Sequence, residues 1–183
     1  MSESGATLPA NQAFVLLGSN IKPEHYVPRA VQLLAKYTRL CGVSRVYQTA
    51  PRDAEGQIDA AQGYFWNAAA LVETNLTAAD LKYNVLRLIE AELDRVRTGD
   101  KFAPRTIDLD IALFNTEVLV LETVDCKLNI PDPDILIRAH VALPLADLAP
   151  DMQHPISGER LADIAAAFSD QPDILVRDDV ILS

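Results

Sequence analysis

The chain has 183 residues, 49% hydrophobic and 23% charged, which provides apolar material for one folded core and excludes a fibrous or disordered composition. With 26 acidic and 16 basic residues the net charge is −10, a field that repels polyanions and argues against a general nucleic-acid or anionic-membrane binder. Any phosphate-bearing ligand therefore needs a local group of cations or a bridging metal ion.

Residues 1–12 carry Glu3 and no positive charge, and read as a frayed extension without signal-peptide character. No run approaches the ~18 apolar residues of a membrane-spanning helix. Cys41 and Cys126 stand outside any metal-binding spacing, and a cytoplasmic protein is expected. One domain is expected over 13–170, followed by a C-terminal tail over 171–183.

The apolar run 13–17 ends at Gly18-Ser19-Asn20, and after Pro23 the residues Val27, Val31 and Leu34 recur at helical spacing, so strand, polar turn and helix are predicted. Val43, Val46, Tyr47 and Thr49 predict a strand over 42–49, which ends at Pro51 in a polar loop reaching Gly63, a candidate lid. Over 64–73 the two-residue period puts Phe65, Asn67, Ala69 and Leu71 on one face, with Tyr64, Trp66, Ala68 and Val72 on the other. Thr77 and Asp80 resemble a capping box for a helix with the stripe Leu81, Val85, Leu88, Ile89 and Val96, expected to reach about Arg97. Residues 106–114 and 117–121 are β-like and predict a hairpin through Asn115-Thr116. Beyond Pro131 the chain is helical and loop-rich, with Ser157 as the cap for Leu161, Ile164 and Phe168. Strands joined so closely cannot be parallel, so the fold class is α+β, with a sheet at least partly antiparallel and helices packed on it.

No phosphate-binding P-loop, GxGxxG, GxSxG, HExxH or Cys/His cluster is present, and His25, His140 and His154 are scattered. The informative stretch is 95–110. In a strand Asp108 and Asp110 share a face, a crowding of like charge that costs ~0.2–1 kcal/mol. Immediately before them, four of the chain's 16 basic residues, Arg95, Arg97, Lys101 and Arg105, fall within 95–105. A solvated helix end accounts for Arg95 and Arg97 but not for Arg105. Cations beside an acidic pair suit a metal–phosphate site, because Mg²⁺ prefers carboxylates plus substrate phosphates and water, and guanidiniums meet the remaining phosphate oxygens.

Several motifs together resemble the 6-hydroxymethyl-7,8-dihydropterin pyrophosphokinase family: Leu17-Gly-Ser-Asn20, Val43-Ser-Arg-Val-Tyr-Gln-Thr-Ala-Pro51, Phe65-Trp-Asn-Ala68, Ile89-Glu90, Arg95-Val-Arg97, the block from Phe102 to Phe114 and Leu143-Pro-Leu-Ala-Asp-Leu-Ala-Pro150. They cover roughly 13–160 in the family's order. The resemblance implies a ferredoxin-like sandwich with a largely antiparallel sheet, and transfer of the pyrophosphoryl group of ATP to the pterin's hydroxymethyl oxygen, with release of AMP, in folate biosynthesis. It implies two Mg²⁺ ions on Asp108 and Asp110, with Arg95 and Arg105 as phosphate-contacting, catalytic arginines. Arg138, Ile111 and Asp132 fall on the ATP side. Thr49, Ala50, Pro51, Arg52, Phe65, Asn67, Phe102 and His140 fall on the pterin side, and segments 50–63 and 98–103 correspond to mobile loops. Two positions depart from the family's usual pattern: Asp132 stands where a His is common, either to weaken ATP binding or to face a cation such as Arg138, and His140 stands where a pterin-stacking Phe is common. These departures leave two alternatives, a non-catalytic nucleotide- or pterin-binding paralogue and the same transfer to a different pterin-like alcohol. No nucleic-acid, membrane or obligate protein partner is expected. Asp110→Ala is expected to abolish turnover with little loss of stability.

Overall fold

The computed structural model describes residues 10–52, 57–59, 61–97, 103–123 and 126–182. In chain order, β1 (Asn11–Ser19), α1 (Pro23–Tyr37), β2 (Arg39–Val43), β3 (Tyr47–Thr49) and β4 (Phe65–Thr74) lead into α2 (Ala78–Asp80), a π-helical turn (Leu81–Leu86) and α3 (Arg87–Glu92). Then come β5 (Asp108–Phe114), β6 (Leu119–Thr123), β7 (Cys126–Ile130), a 3₁₀ turn (Pro133–Leu136), α4 (Ala139–Leu148), α5 (Leu161–Ala166) and β8 (Ile174–Val176). The main sheet runs β5-β1-β4-β3-β8, with β2 also paired to β4, and its pairings among the described residues are antiparallel. The crossover through α1 leaves β4 between β1 and the β2–β3 edge, the split arrangement of a ferredoxin-like α+β fold.

Both faces of the sheet are apolar, and each is covered. Ala13, Val15 and Leu17 of β1 pack with Val27, Val31 and Leu34 of α1 and with Leu81, Val85 and Ile89. Phe14, Ala69 and Leu113 turn the other way, onto Val141 and Leu145 of α4 and Leu161 and Ile164 of α5. The predicted alternation in β4 holds, since Trp66 and Val72 join the first cluster and Ala69 the second. In β5 the register moves from Val15↔Ile111 to Phe14↔Leu113, a bulge that puts both Ala112 and Leu113 into the second core. Among the described residues no helix is long and apolar enough to cross a membrane.

Several boundaries differ from the sequence reading. Asn11 and Gln12 belong to β1, and part of the expected tail forms β8 against β3. The strand expected over 42–49 is two strands: between them Ser44 Oγ accepts from the Ala69 amide at 2.8 Å and the Ser44 amide donates to the Ala69 carbonyl at 2.9 Å. Thr77 does cap its helix, accepting from the Asp80 amide at 3.1 Å. That helical segment stops at Glu92 instead of Arg97, because Asp94 takes a left-handed φ of 60° and the Arg95 amide folds back to the Glu90 carbonyl at 3.0 Å. Its buried face is Leu81, Lys82, Val85, Leu86, Ile89 and Glu90, whereas Leu88 is 43% and Val96 71% exposed. The predicted hairpin does not form. Asn115, at φ 50°, bonds Gln12 through both its amide and its Oδ1, which fastens the turn to β1, and β6 pairs with β7 as a separate ribbon. Helix α5 starts at Leu161, and the Ser157 hydroxyl accepts from the Glu159 amide instead of capping it.

Candidate active site

One row of the sheet register assembles the site floor. Asp108 of β5 lies opposite Gly18 of β1, Gly18 opposite Asn67 of β4, and Asn67 opposite Tyr47 of β3. Because side chains alternate, Asp110, opposite Leu16, and Phe65, opposite Thr49, share that face. Gly18 keeps the row open, since a Cβ built there would begin 4.0 Å from Asn67 Oδ1. Above the floor is a cavity of about 490 Å³, within the range of small-ligand sites. Its far wall comes from the turn after β7 and the start of α4. The two walls are tied together by Asp147 of α4, which accepts from the Tyr47 hydroxyl at 3.0 Å and pairs with Arg45 at 2.7 Å.

Twelve of the expected residues line this cavity: Thr49, Ala50, Pro51, Arg52, Phe65, Asn67, Arg105, Asp108, Asp110, Asp132, Arg138 and His140. Arg95 stands behind it, with Nε 3.8 Å from Asp108 Oδ1 and its Nη1 donating to the Val96 carbonyl. Ile111 does not line it: its side chain is fully buried in the first core, which leaves only its backbone for any contact with a base. Phe102, Lys101, 98–100 and 53–56 lie outside the described residues. Gln171, Asp173 and Ile174 also line the cavity, and Asp173 pairs with Arg52 at 2.7 Å.

The polar turn after β1 sets the backbone of Arg105. The amides of Asn20 and Ile21 donate to the Arg105 carbonyl at 3.1 and 3.2 Å, and Asn20 Oδ1 accepts from the Arg105 amide at 2.8 Å. Gly63 packs against the same turn so closely that a Cβ would fall 2.8 Å from the Asn20 carbonyl oxygen. Thus held, Arg105 donates to Asp108 Oδ2 at 2.7 Å, with its guanidinium 5.7 Å from the Phe65 ring centre. Asn67 donates through Nδ2 to the Tyr47 carbonyl and Thr49 Oγ1, both at 3.0 Å, while its Oδ1 accepts from no described residue.

Two charged residues with no site role in the sequence reading, Lys82 and the Glu90 of the Ile89-Glu90 motif, hold β5 from behind. Strand β5 ends the sheet order, so the Leu109 peptide, between the two aspartates, needs partners from outside the sheet. Its amide donates to Glu90 Oε1 at 2.8 Å, and its carbonyl accepts from Lys82 Nζ at 2.5 Å. Lys82 is 3% exposed and also pairs with Asp110 Oδ1 at 2.5 Å. Glu90 pairs with Arg97 as well, which engages that arginine away from the cavity. Their sequence signal is a lysine and a glutamate eight positions apart in phase with Leu81, Leu86 and Ile89.

Asp132 caps the 3₁₀ turn by accepting from the Asp134 amide at 2.9 Å, and its own amide donates to the Ala112 carbonyl at 2.8 Å. Burial pushes its carboxyl pKa above the ordinary carboxylate value. Of the two alternatives for Asp132, a pairing with Arg138 does not form, since Arg138 Nε lies 3.5 Å from Asp134 Oδ2. Burial, with help from the Arg138 charge, lowers the His140 pKa and favours a neutral ring able to stack and to hydrogen-bond. Among the described residues no group of three or more His, Cys, Asp or Glu could hold a metal unaided. The Asp108–Asp110 pair instead suits a hard cation that completes its shell with phosphate oxygens and water.

Fold and cavity together describe a small α+β protein whose cleft carries two carboxylates with guanidiniums at one side and an aromatic ring with a side-chain amide at the other. The chain belongs to the 7,8-dihydro-6-hydroxymethylpterin-pyrophosphokinase family, whose model matches residues 14–150. It is 38% identical over 159 residues to the 2-amino-4-hydroxy-6-hydroxymethyldihydropteridine pyrophosphokinase of Pseudomonas aeruginosa, covering 85% of this chain and 91% of that protein. It is 37% identical over 146 residues to the Bacillus subtilis protein of the same name, covering 78% and 81%. A crystal structure of Plasmodium falciparum HPPK-DHPS superposes on 87% of the chain with a TM-score of 0.68 at 15% identity, a likeness of fold in which this chain spans 45% of that longer one. The family's reaction is pyrophosphoryl transfer from ATP to hydroxymethyldihydropterin in folate biosynthesis, and it is the activity that membership gives this chain.

Proposed function

We propose that the chain carries out this transfer in the one cavity described, with the pterin on the Asn67 side and the triphosphate on the Asp108–Asp110 side. The observation that carries the reading is the register row Asp108–Gly18–Asn67, which sets one carboxylate, with Asp110 two residues along on the same face, across a glycine gap from an amide oxygen that accepts from no described residue. Asn67 Oδ1 accepts from the pterin's ring donors, and Phe65 and His140 flank the ring. Arg105 and Arg138 meet phosphate oxygens, and Arg95 backs Asp108. Two Mg²⁺ ions would be held by Asp108 and Asp110 with phosphate oxygens, where they would neutralise charge and lower the pKa of the acceptor hydroxyl. The hydroxymethyl oxygen attacks the β-phosphorus in line. A new P–O bond forms as the bond from the β-phosphorus to the α–β bridging oxygen breaks, AMP leaves with that oxygen, and the hydroxyl proton passes to solvent water. The protein contributes positioning and charge stabilisation. The reading includes action without an obligate protein partner and a cytoplasmic location.

The test is to mix the purified protein with ATP, Mg²⁺ and 6-hydroxymethyl-7,8-dihydropterin and analyse the nucleotides. AMP together with a pterin diphosphate is the expected outcome. ADP, or tight ATP binding without a nucleotide product, would overturn the proposal.

A further inference from the structure

Lys82 is a buried cation that the reaction as written does not use. It leaves the π-helical turn on the face of the sheet opposite the cavity and passes the end strand β5, where its ammonium meets the Leu109 carbonyl and Asp110 Oδ1. The two ends of this ion pair differ in surroundings: the Lys82 side chain is 3% exposed, whereas that of Asp110 is 45% exposed and lines the cavity. Asp110 Oδ2 has no partner among the described residues. Asp108 already faces Arg105 at 2.7 Å. Each carboxylate of the acidic pair therefore has a protein cation of its own, and without a ligand the pair presents little net negative charge. A divalent ion arriving alone would meet balanced charges, whereas one arriving with a triphosphate brings its own anionic oxygens.

We infer that Lys82 is a positioning residue that makes cation binding at Asp110 depend on nucleotide. It holds Oδ1 from behind, leaves Oδ2 for a ligand, and offsets the charge that would otherwise recruit a metal ion before nucleotide binds. The inference rests on Asp108 and Asp110 being the cation ligands. Deleting the ammonium while keeping the volume should strengthen binding of the lone ion, because the repulsion from Lys82 is then gone.

The test is a Mn²⁺ titration followed by electron paramagnetic resonance, without nucleotide and with α,β-methylene-ATP, on the wild type, Lys82→Met, Lys82→Arg and Asp110→Asn. Lys82→Gln, which keeps a donor for the Leu109 carbonyl, serves if Lys82→Met does not fold. Without nucleotide, the Met or Gln variant should bind Mn²⁺ at least ~10-fold more tightly than wild type, as expected for one unit charge removed at close range in a partly solvated site. Lys82→Arg, which keeps the charge, should behave as wild type. If Asp110→Asn loses Mn²⁺ binding with the analogue while Lys82→Met and Lys82→Gln match wild type without it, the ligand assignment stands and the role of Lys82 is refuted. If Asp110→Asn binds Mn²⁺ like wild type in both conditions, the ligand assignment is wrong and the inference falls with it.

Discussion

Replacing Glu90 by alanine probes how β5 keeps its aspartates in place. Glu90 is buried, its Oε1 accepts from the buried Leu109 amide at 2.8 Å and its other oxygen pairs with Arg97. In Glu90→Ala the Leu109 N–H loses its acceptor, a cost of ~1–3 kcal/mol. One buried methylene disappears, worth ~0.8 kcal/mol. The Arg97 pair adds ~1 kcal/mol at most, because that guanidinium end is half exposed. The sum is ~2–5 kcal/mol. Glu90→Gln keeps an oxygen for Leu109 and loses only the charge on Arg97, so it should cost under ~1 kcal/mol. At about 2–4 °C per kcal/mol for a chain of this size, Glu90→Ala should melt roughly 4–20 °C below wild type and Glu90→Gln within ~4 °C of it. Thermal unfolding followed by circular dichroism at fixed pH measures both, and AMP release below the melting range should drop further in the alanine variant, since Leu109 sits between the two aspartates. Equal melting of the Ala and Gln variants would show that the Leu109 amide does not depend on this carboxylate, and the account of how β5 is held would fail.

Asp110→Ala should abolish AMP release, and the ion pair puts a size on the little loss of stability expected from the sequence: the variant strips Lys82 of its anion, which costs ~1–3 kcal/mol, moderated by water reaching the 45% exposed side of the pair. Urea unfolding that matches wild type would show that the ion pair does not hold the lysine. Asn67→Ala should raise KM for the pterin about tenfold, the effect of one lost hydrogen bond, and leave KM for ATP nearly unchanged; an equal rise in both would move Asn67 off the pterin side. His140 has its pKa lowered on folding, so the unfolded chain binds more protons and stability falls as pH drops below the unfolded value of about 6.5 and through the folded pKa. His140→Phe should flatten that acid slope, with the remainder left to His154, whose pKa is lowered in the same sense. Chemical unfolding between pH 7 and 5 gives the slope, and an unchanged slope would remove His140 from the explanation.

The acidic pair was legible because a strand has a period of two: once 108–114 reads as β, Asp108 and Asp110 must share a face, and the same logic pairs Phe65 with Asn67. The Gly18-Ser-Asn20 turn could be recognised, but its grip on Arg105 could not, because that contact joins segments far apart in sequence. The roles of Lys82 and Glu90 were hidden for a different reason. On an amphipathic helix a charge next to the apolar stripe usually extends to water, and only the position of β5 at the end of the sheet shows that a peptide there needs both an acceptor and a donor. The false hairpin has the same origin. Two β-like runs around Asn115-Thr116 satisfy every local rule, and the decisive bonds to Gln12 are non-local.

Gly63 shows how little slack the architecture leaves. With the Asn20 carbonyl 2.8 Å from where its Cβ would be, even a methyl group would wedge the turn away from β4, and the displacement would pass through Asn20 to the guanidinium facing Asp108. The return end of the long loop and the phosphate-facing arginine thus behave as one mechanical part, so the cavity's rim cannot be recut at that glycine without retuning its charged floor.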